Sequence, residues 1–171
     1  IGGTKDPRKG SDLLFKELKI LKENSNANLS NLEIIVFGGS KNIQSNLNFY
    51  PTHYFGHLYD DISLRLLYSA ADLLVVPSRL EAFGQTAVES HACGTPVVGF
   101  KYGGLLDIVK DNVTGALSKP FDPYSLADKI KWVLEDKIRN IELSKSARLR
   151  AENLWSEKRI SELYVNFYKK I

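Results

Sequence analysis

The sequence of 171 residues is poor in cysteine and has no long apolar run. Its one thiol, Cys93, can form neither an internal disulfide nor a two-cysteine metal site, which is compatible with the cytoplasm. No stretch approaches the roughly 18 apolar residues of a membrane-spanning helix. The net charge of +3 is mild. It favours a small anionic ligand, or a loose association with acidic lipid head groups, over a nucleic acid, so no nucleic-acid partner is expected.

Several short motifs are also absent. Without Asp-x-Asp, the chain has no carboxylate pair to hold a divalent ion on a diphosphate. Without Gly-x-Gly-x-x-Gly, a nicotinamide or flavin site is disfavoured, and without Gly-x-Ser-x-Gly so is a hydrolase of the nucleophile-elbow type. The histidines, His53, His57 and His91, lack neighbours at ligand spacing. We therefore expect no metal and no cofactor.

Short apolar strands alternate with helical patterns along the chain. The predicted strands are 33–37, 53–55, 73–76, 96–100 and 115–117; the predicted helices begin at Ser11, Asp61 and Thr86 and after Gly104, and a helical tail covers 123–171. This alternation predicts an α/β fold with a Rossmann-like open parallel sheet, helices on both faces and a helical C-terminal extension. Residues 1–171 are expected to form one domain, and Ile1–Thr4 reads as the end of a truncated first strand.

In such sheets, ligands bind where the loops leave the carboxyl ends of the strands. These loops are predicted at 2–10, 38–41, 56–61, 77–86 and 101–104. The loop 77–86 is the richest, because Gly84 permits unusual backbone angles and the free amides of a helix start attract anions.

Two carboxylates flank this helix start. Thr86 and Glu89 have the spacing of a capping box, which favours a structural role for Glu89. Glu81 has no comparable structural explanation, although a loop carboxylate is often only solvated. Lys9 opposes the dipole of the first helix unless an anion lies nearby, or else it points into water. Gly103-Gly104 permits a close approach to a ligand, or forms an ordinary turn.

Several ordered motifs resemble a known family. They are AADLLVVPS at 70–78, EAFG at 81–84 and ESHACGTPVV at 89–98, together with Gly103-Gly104, DIV at 107–109, NVTG at 112–115, DPRKG at 6–10 and FGHL at 55–58. Over essentially the whole chain, these motifs resemble the C-terminal, donor-binding domain of the group 1 glycosyltransferases (glycosyltransferase family 4), which is one half of a GT-B fold.

The resemblance implies a role for each matching residue. Glu81 would hold hydroxyls of the donor sugar and Glu89 the ribose hydroxyls. Lys9 would neutralise the diphosphate, so Lys9 and Glu81 are the expected catalytic residues. The remaining substrate-binding residues would be Arg8, the base-binding Gly56, His57 and Leu58, and the loop residues Ala82, Phe83, Gly84, Gln85 and Thr86.

One position departs from the family pattern. Family members often carry an arginine about six residues before the Lys-Gly pair, where this sequence has Gly3. Arg8 or Lys5 would then have to substitute for it, unless this subgroup does without it.

The implied function is transfer of a hexose from a UDP- or GDP-sugar, without a metal and with retention of anomeric configuration. The acceptor would be held by an N-terminal domain outside this sequence, so the domain alone is expected to transfer no sugar. Capsule or lipopolysaccharide assembly, with loose attachment to the inner face of the cell membrane through the acceptor, would follow from the family. The alternatives are a GT-B epimerase or phosphorylase, or a non-catalytic module that binds nucleotide sugars.

Overall fold

The computed structural model describes residues 6–24, 29, 31–38 and 50–170. The strands are β1 (Ile34–Phe37), β2 (Thr52–Gly56), β3 (Leu74–Val76), β4 (Val97–Phe100) and β5 (Gly115–Ser118). The helices are α1 (Ser11–Asn24), α2 (Asp61–Ala70), α3 (Gln85–Ala92), α4 (Leu105–Ile108), α5 (Pro123–Leu134), α6 (Lys137–Trp155) and α7 (Glu157–Tyr168). The predictions made for Ile1–Lys5 and for residues 39–41 lie outside the described residues.

All the described strands pair in parallel, as the alternation of strands and helices predicted. β1 pairs with β2, and β4 lies between β3 and β5. The predicted α/β class is therefore confirmed. The described strands do not form one continuous sheet, however, because no pairing among them joins β1 to β3.

β4 is the middle strand of the three-stranded sheet. Each of its four residues is buried, as expected for a central parallel strand covered on both faces. Position 99 leaves no room for a side chain, because a Cβ there would lie 2.6 Å from Leu105 Cδ1 and 2.8 Å from the main-chain oxygen of Val76. Glycine therefore suits this position. The apolar run 96–100 predicted this strand correctly.

Aspartates cap the starts of α2, α5 and α6. Asp60 accepts a hydrogen bond from the Ser63 amide at 2.7 Å and caps α2. Asp122 caps α5 through the Tyr124 and Ser125 amides, and Pro123 follows at the first helical position. Both arrangements satisfy amides that have no partner within the helix.

The helical segment predicted as a C-terminal extension contributes to the core. Leu126, Ile130 and Val133 of α5 are buried, and α5 packs against α1 and β5. α6 packs against α3 and buries Leu143. α7 has no buried residue. In the part of the chain that the structure describes, no helix has the length and apolar character needed to cross a membrane.

Glu17 is an ionisable residue inside the core. Its side chain on α1 is fully buried, and neither carboxyl oxygen has a hydrogen-bond partner among the described residues. Burial raises the pKa of Glu17 well above its usual value. The carboxyl is therefore protonated in the folded protein at pH values where it ionises in the unfolded chain.

We predict that Glu17→Gln stabilises the protein increasingly as the pH rises above about 4.5. Below that pH the wild-type carboxyl is neutral in both states, and glutamine is its uncharged isostere. Above it, folding has to keep a proton on Glu17, which costs up to about 1.4 kcal/mol per pH unit. Urea unfolding at several pH values measures the difference. Glu23→Gln, an exposed change on the same helix, should show no such trend, and a pH-independent difference for Glu17→Gln would contradict the prediction.

Candidate functional site

Two loops meet at the carboxyl end of β3. Gly10 has φ of 67°, and a Cβ at this position would lie 1.9 Å from the main-chain oxygen of Pro77. The Arg79 amide donates to the Arg8 carbonyl at 2.7 Å. The segment before α1 and the segment after β3 are thus in direct main-chain contact.

An ion pair also connects these loops. Both terminal nitrogens of Arg79 donate to the Asp12 carboxylate, each at 2.6 Å, and Arg79 Nη1 also donates to the Pro7 carbonyl at 3.0 Å. The guanidinium beside Asp12 lowers the pKa of that carboxyl. Because this contact is bidentate, it fixes the relative orientation of the loops as well as their distance.

Lys9 and Glu81, the predicted catalytic residues, lie together at this junction. Lys9 Nζ donates to Glu81 Oε2 at 3.0 Å, and the side chains are 35% and 13% exposed. The cation near the start of α1 therefore has a carboxylate partner, and it is still open to solvent. An arriving anion can reach Lys9 and compete with Glu81 for it.

The start of α3 differs from the sequence prediction. Thr86 does not cap this helix: the N-cap is Gly84, with φ of 89° and no side-chain cap hydrogen bond. The helix begins at Gln85, so Thr86 lies inside the first turn and the predicted capping box is wrong. The first amides of a helix have no partner within it, and Gln85 and Thr86 supply them here. Glu81 lies beside this helix start, since a Cβ on Gly84 would be 3.5 Å from Glu81 Cγ, and the free amides of a helix start attract negative charge.

Glu89 has a different structural role from the one predicted. Its Oε2 accepts from the Tyr68 hydroxyl and its Oε1 from Gln85 Nε2, both at 3.0 Å. Burial, and then the charge of Glu89, raise the pKa of Tyr68. Tyr68 and Gln85 therefore orient the half-buried carboxylate of Glu89.

Gly103 and Gly104 support the loop that carries Glu81. The Gly104 amide donates to the Glu81 carbonyl at 2.8 Å. A Cβ at Gly103 would lie 2.6 Å from that carbonyl oxygen, and one at Gly104 would lie 2.5 Å from the Ala82 oxygen. The sequence left open a ligand approach or a turn; the structure shows the pair approaching another loop of the protein.

The other predicted site residues lie around this centre. Arg8 is exposed and pairs with Asp6 at 2.7 Å. Phe83 is 55% exposed, and Ala82 is also exposed.

The predicted base-binding segment follows β2. Gly56 ends the strand with φ of 64°. His57 is exposed and stacks obliquely against Tyr59, whereas Leu58 packs against the cluster that contains Tyr68. Leu58 is thereby linked through Tyr68 to Glu89.

Sequence reasoning missed Tyr68, Arg79 and Asp12. Arg79 lies 67 positions from Asp12, and Tyr68 lies 21 positions from Glu89. The only local sign of this ion pair in the sequence was Arg79, which lies within the predicted loop 77–86. Its partner becomes apparent only when the loops are brought together.

The site offers cations, amides and carboxylates. An anion would meet Lys9 and the start of α3, and hydroxyl groups beside it would meet Glu81 or Glu89. Among the residues that the structure describes, no group of three or more His, Cys, Asp or Glu side chains is arranged to hold a metal ion.

The structure is an α/β domain in which Lys9, Glu81 and the uncapped start of α3 lie close together at the carboxyl end of a parallel strand. The chain belongs to the family described as glycosyl transferases group 1, whose sequence model matches residues 3–150. It is 32% identical to the D-inositol 3-phosphate glycosyltransferase of Salinispora tropica over 178 aligned positions, which cover 94% of this chain and 36% of that protein.

Solved structures show the same architecture. Sucrose-phosphate synthase from Thermosynechococcus elongatus matches with a TM-score of 0.80 and 30% identity, over 96% of this chain and 43% of that one. Anabaena HepE, solved with UDP-glucose, matches with a TM-score of 0.77 and 22% identity, over 97% and 46%. The chain thus spans less than half of each of these proteins, and the structures support one half of a GT-B fold.

We predict that Asp12→Asn loosens the contact between the two loops with little loss of global stability. The Arg79–Asp12 pair is largely exposed, so its loss should cost no more than about 1 kcal/mol. Hydrogen exchange at the Arg79 amide, which donates to Arg8, should accelerate. The Gly104 amide, which donates to Glu81, is the internal control and should not change. Unchanged exchange at Arg79 would show that main-chain contacts alone hold the loops.

Proposed function

We propose that this chain is the donor-binding domain of a retaining glycosyltransferase of family 4, and that it binds a nucleotide-diphosphate sugar, UDP- or GDP-linked. The observation that carries the proposal is the Lys9–Glu81 contact of 3.0 Å beside the start of α3. It brings a cation and a carboxylate close to the first amides of a helix. In a sugar phosphate, the phosphate would be bound by the cation and the helix amides, and the sugar hydroxyls would donate to the carboxylate.

The nucleoside would extend from this point towards Glu89 and the end of β2. Glu89 would accept hydrogen bonds from the ribose hydroxyls with its carboxylate held by Tyr68 and Gln85. The base would lie against Gly56, His57 and Leu58. Arg8 is paired with Asp6, and it would reach the diphosphate only by leaving that partner.

The same groups would assist bond cleavage. When the bond between the sugar and the phosphate breaks, negative charge grows on a diphosphate oxygen. Lys9 and the amides of Gln85 and Thr86 would stabilise that charge without a metal ion. The departing phosphate would accept the proton of the acceptor, so neither Glu81 nor Glu89 has to act as a nucleophile.

Transfer needs the second half of the enzyme. We propose that an N-terminal domain holds the acceptor and closes over the donor, which positions the reactants and excludes water. The isolated chain would therefore bind the donor and transfer no hexose. The acceptor would come from cell-surface polysaccharide assembly, such as capsule or lipopolysaccharide, at the cytoplasmic face of the membrane.

We predict that Lys9→Met weakens UDP binding about tenfold, because a charge-assisted contact to the diphosphate is lost. Lys16→Met, which removes an exposed lysine of α1, is the matched control and should bind UDP as the wild type does. Calorimetric titration in EDTA and in magnesium should give the same affinity. Equal UDP affinity of the two variants, or binding that requires magnesium, would contradict the proposal.

The variant Glu81→Gln distinguishes affinity for the nucleotide from affinity for the sugar. Since Glu81 competes with the diphosphate for Lys9, its neutralisation should leave UDP affinity unchanged or increase it. A UDP-sugar should lose the additional affinity that it gains from its hydroxyl contacts with the carboxylate. The same titrations with UDP and UDP-glucose measure both effects, and an equal loss for both ligands would contradict this role of Glu81.

We predict that Glu89→Gln weakens UDP binding about tenfold, because a charged hydrogen-bond acceptor for ribose is removed. Tyr68→Phe, which removes only the hydroxyl that orients Glu89, should have a smaller effect. The affinities are measured on folded protein, with thermal unfolding monitored in parallel. A stability loss without any change in affinity would assign Glu89 a purely structural role.

A further inference from the structure

Two exposed aromatic side chains lie at the carboxyl end of the three-stranded sheet. Tyr102 follows β4 and Phe121 follows β5, and these strands are parallel neighbours. Their ring centroids are 5.4 Å apart with the planes at 62°, and the residues are 46% and 42% exposed. Phe121 also packs edge-on against the fully buried Phe100, at 5.6 Å. The two rings are therefore held in a fixed orientation, and part of each ring is open to solvent.

The backbone at Phe121 is unusual. Its φ is 61°, in the left-handed region that suits glycine and that bulky side chains rarely adopt. Such conformations persist only where the surrounding structure imposes them, and they cluster at functional sites. Packing on Phe100 accounts for Phe121 alone. Tyr102 adds a second exposed ring beside it, which the core does not require.

Two lysines accompany the rings. Lys101 follows β4 and Lys119 follows β5, and the Lys101 amide donates to the Ser118 carbonyl at 2.8 Å, so that the two segments run side by side. Both lysines are exposed, and neither has a carboxylate partner within the part of the chain that the structure describes. The nearby carboxylate of Asp122 caps α5. This surface therefore carries positive charge that no neighbour neutralises.

We call this surface the Tyr102 patch; it consists of Lys101, Tyr102, Lys119 and Phe121. It borders the candidate functional site, because the carboxyl ends of the parallel strands β3, β4 and β5 share one edge of the sheet.

The glycines after Tyr102 connect the patch to the site. A Cβ on Gly103 would lie 2.6 Å from the Glu81 carbonyl oxygen, and the Gly104 amide donates to that oxygen at 2.8 Å. Consecutive Cα atoms are about 3.8 Å apart. Tyr102 is thus one residue away from the backbone that carries Glu81, the partner of Lys9.

We propose that the Tyr102 patch binds an anionic saccharide, that is, a sugar ring that bears a negatively charged group, and that this saccharide is the acceptor. Calling it the acceptor rests on the proposed function. One face of a hexose ring consists mainly of C–H bonds, and it packs against the negatively polarised face of an aromatic ring. The two lysines attract the anionic group. Pre-oriented aromatic rings also supply contact area at a small entropic cost.

Charge and position favour this occupant over others. An apolar protein surface would bury two lysines without a partner, which is costly, whereas an anionic sugar neutralises them. The nucleoside of the donor is proposed to extend towards β2, which belongs to the other sheet. The patch at β4 and β5 is therefore left for a second ligand.

Glucose 6-phosphate is the probe, and the backbone amide resonances of the 171-residue chain are the readout. Saturable shifts are expected at Lys101, Tyr102 and Lys119. Glucose and inorganic phosphate should each bind at least about fivefold more weakly, since each lacks one of the two contacts. The Gln85 amide reports separately on the start of α3. The inference is overturned if the patch amides do not shift, or if either fragment binds as tightly as glucose 6-phosphate.

Substitutions separate the aromatic face from general apolar contact. Tyr102→Leu keeps an apolar side chain and should weaken binding of glucose 6-phosphate about fivefold, whereas Tyr102→Phe should bind it as the wild type does. Lys101→Gln should also weaken binding about fivefold. Tyr164→Leu on α7 and Lys145→Gln on α6 are the matched exposed controls and should change nothing. A folded Tyr102→Leu variant with wild-type affinity would overturn the inference.

Titration with UDP distinguishes this inference from the proposed function. Tyr102→Leu should bind UDP as the wild type does, because the patch lies outside the donor site; a loss of UDP affinity would overturn the inference. If Lys9→Met also leaves UDP binding unchanged while glucose 6-phosphate shifts Tyr102, the proposed function fails and the saccharide site stands. If UDP binding depends on Lys9 but no saccharide reaches Tyr102, only the inference fails.

Discussion

The approach of Gly10 to Pro77 is the contact on which the candidate site depends. No side chain fits at position 10, since its Cβ would overlap the Pro77 carbonyl oxygen, and the positive φ there suits glycine. This contact brings the residue before Gly10 within reach of the loop that follows β3. The Arg79–Asp12 pair then limits how far the two loops can separate. Lys9 and Glu81 meet because their backbones are already held together.

At this junction the positive charge of Lys9 is paired with the negative charge of Glu81. Lys9 would oppose the dipole of α1, and Glu81 offsets that cost with a carboxylate at 3.0 Å. The start of α3 adds amides that no residue side chain caps. The proposed anionic ligand would therefore meet a cation that is already positioned and amides that need little rearrangement. Such preorganisation is the main source of electrostatic catalysis in enzymes.

The described strands form two separate sheets, whereas the candidate site includes residues next to both of them. One sheet consists of β3, β4 and β5, and Glu81 and α3 lie at its carboxyl end. The other sheet consists of β1 and β2 and ends at the proposed base-binding segment. Tyr68 connects the two halves: it packs edge-on against Phe37 of β1, and it donates to Glu89 of α3. A buried aromatic side chain with one polar end can hold both a core contact and a site carboxylate.

The sequence by itself determined the strands 34–37, 74–76 and 97–100, the helix starts after Asp60 and Asp122, the α/β class and the loops that form the site. Each of these follows from apolar runs, caps or motifs within a few residues. The tertiary structure decided that Gly84 rather than Thr86 caps α3, that α5 belongs to the core, that Glu17 is buried without a partner, and that Arg79 holds Asp12. These features depend on segments that are far apart in the chain: Asp12 and Arg79 are 67 positions apart, and α5 packs against α1 from farther still. Local propensity contains no information on which distant backbone will lie alongside.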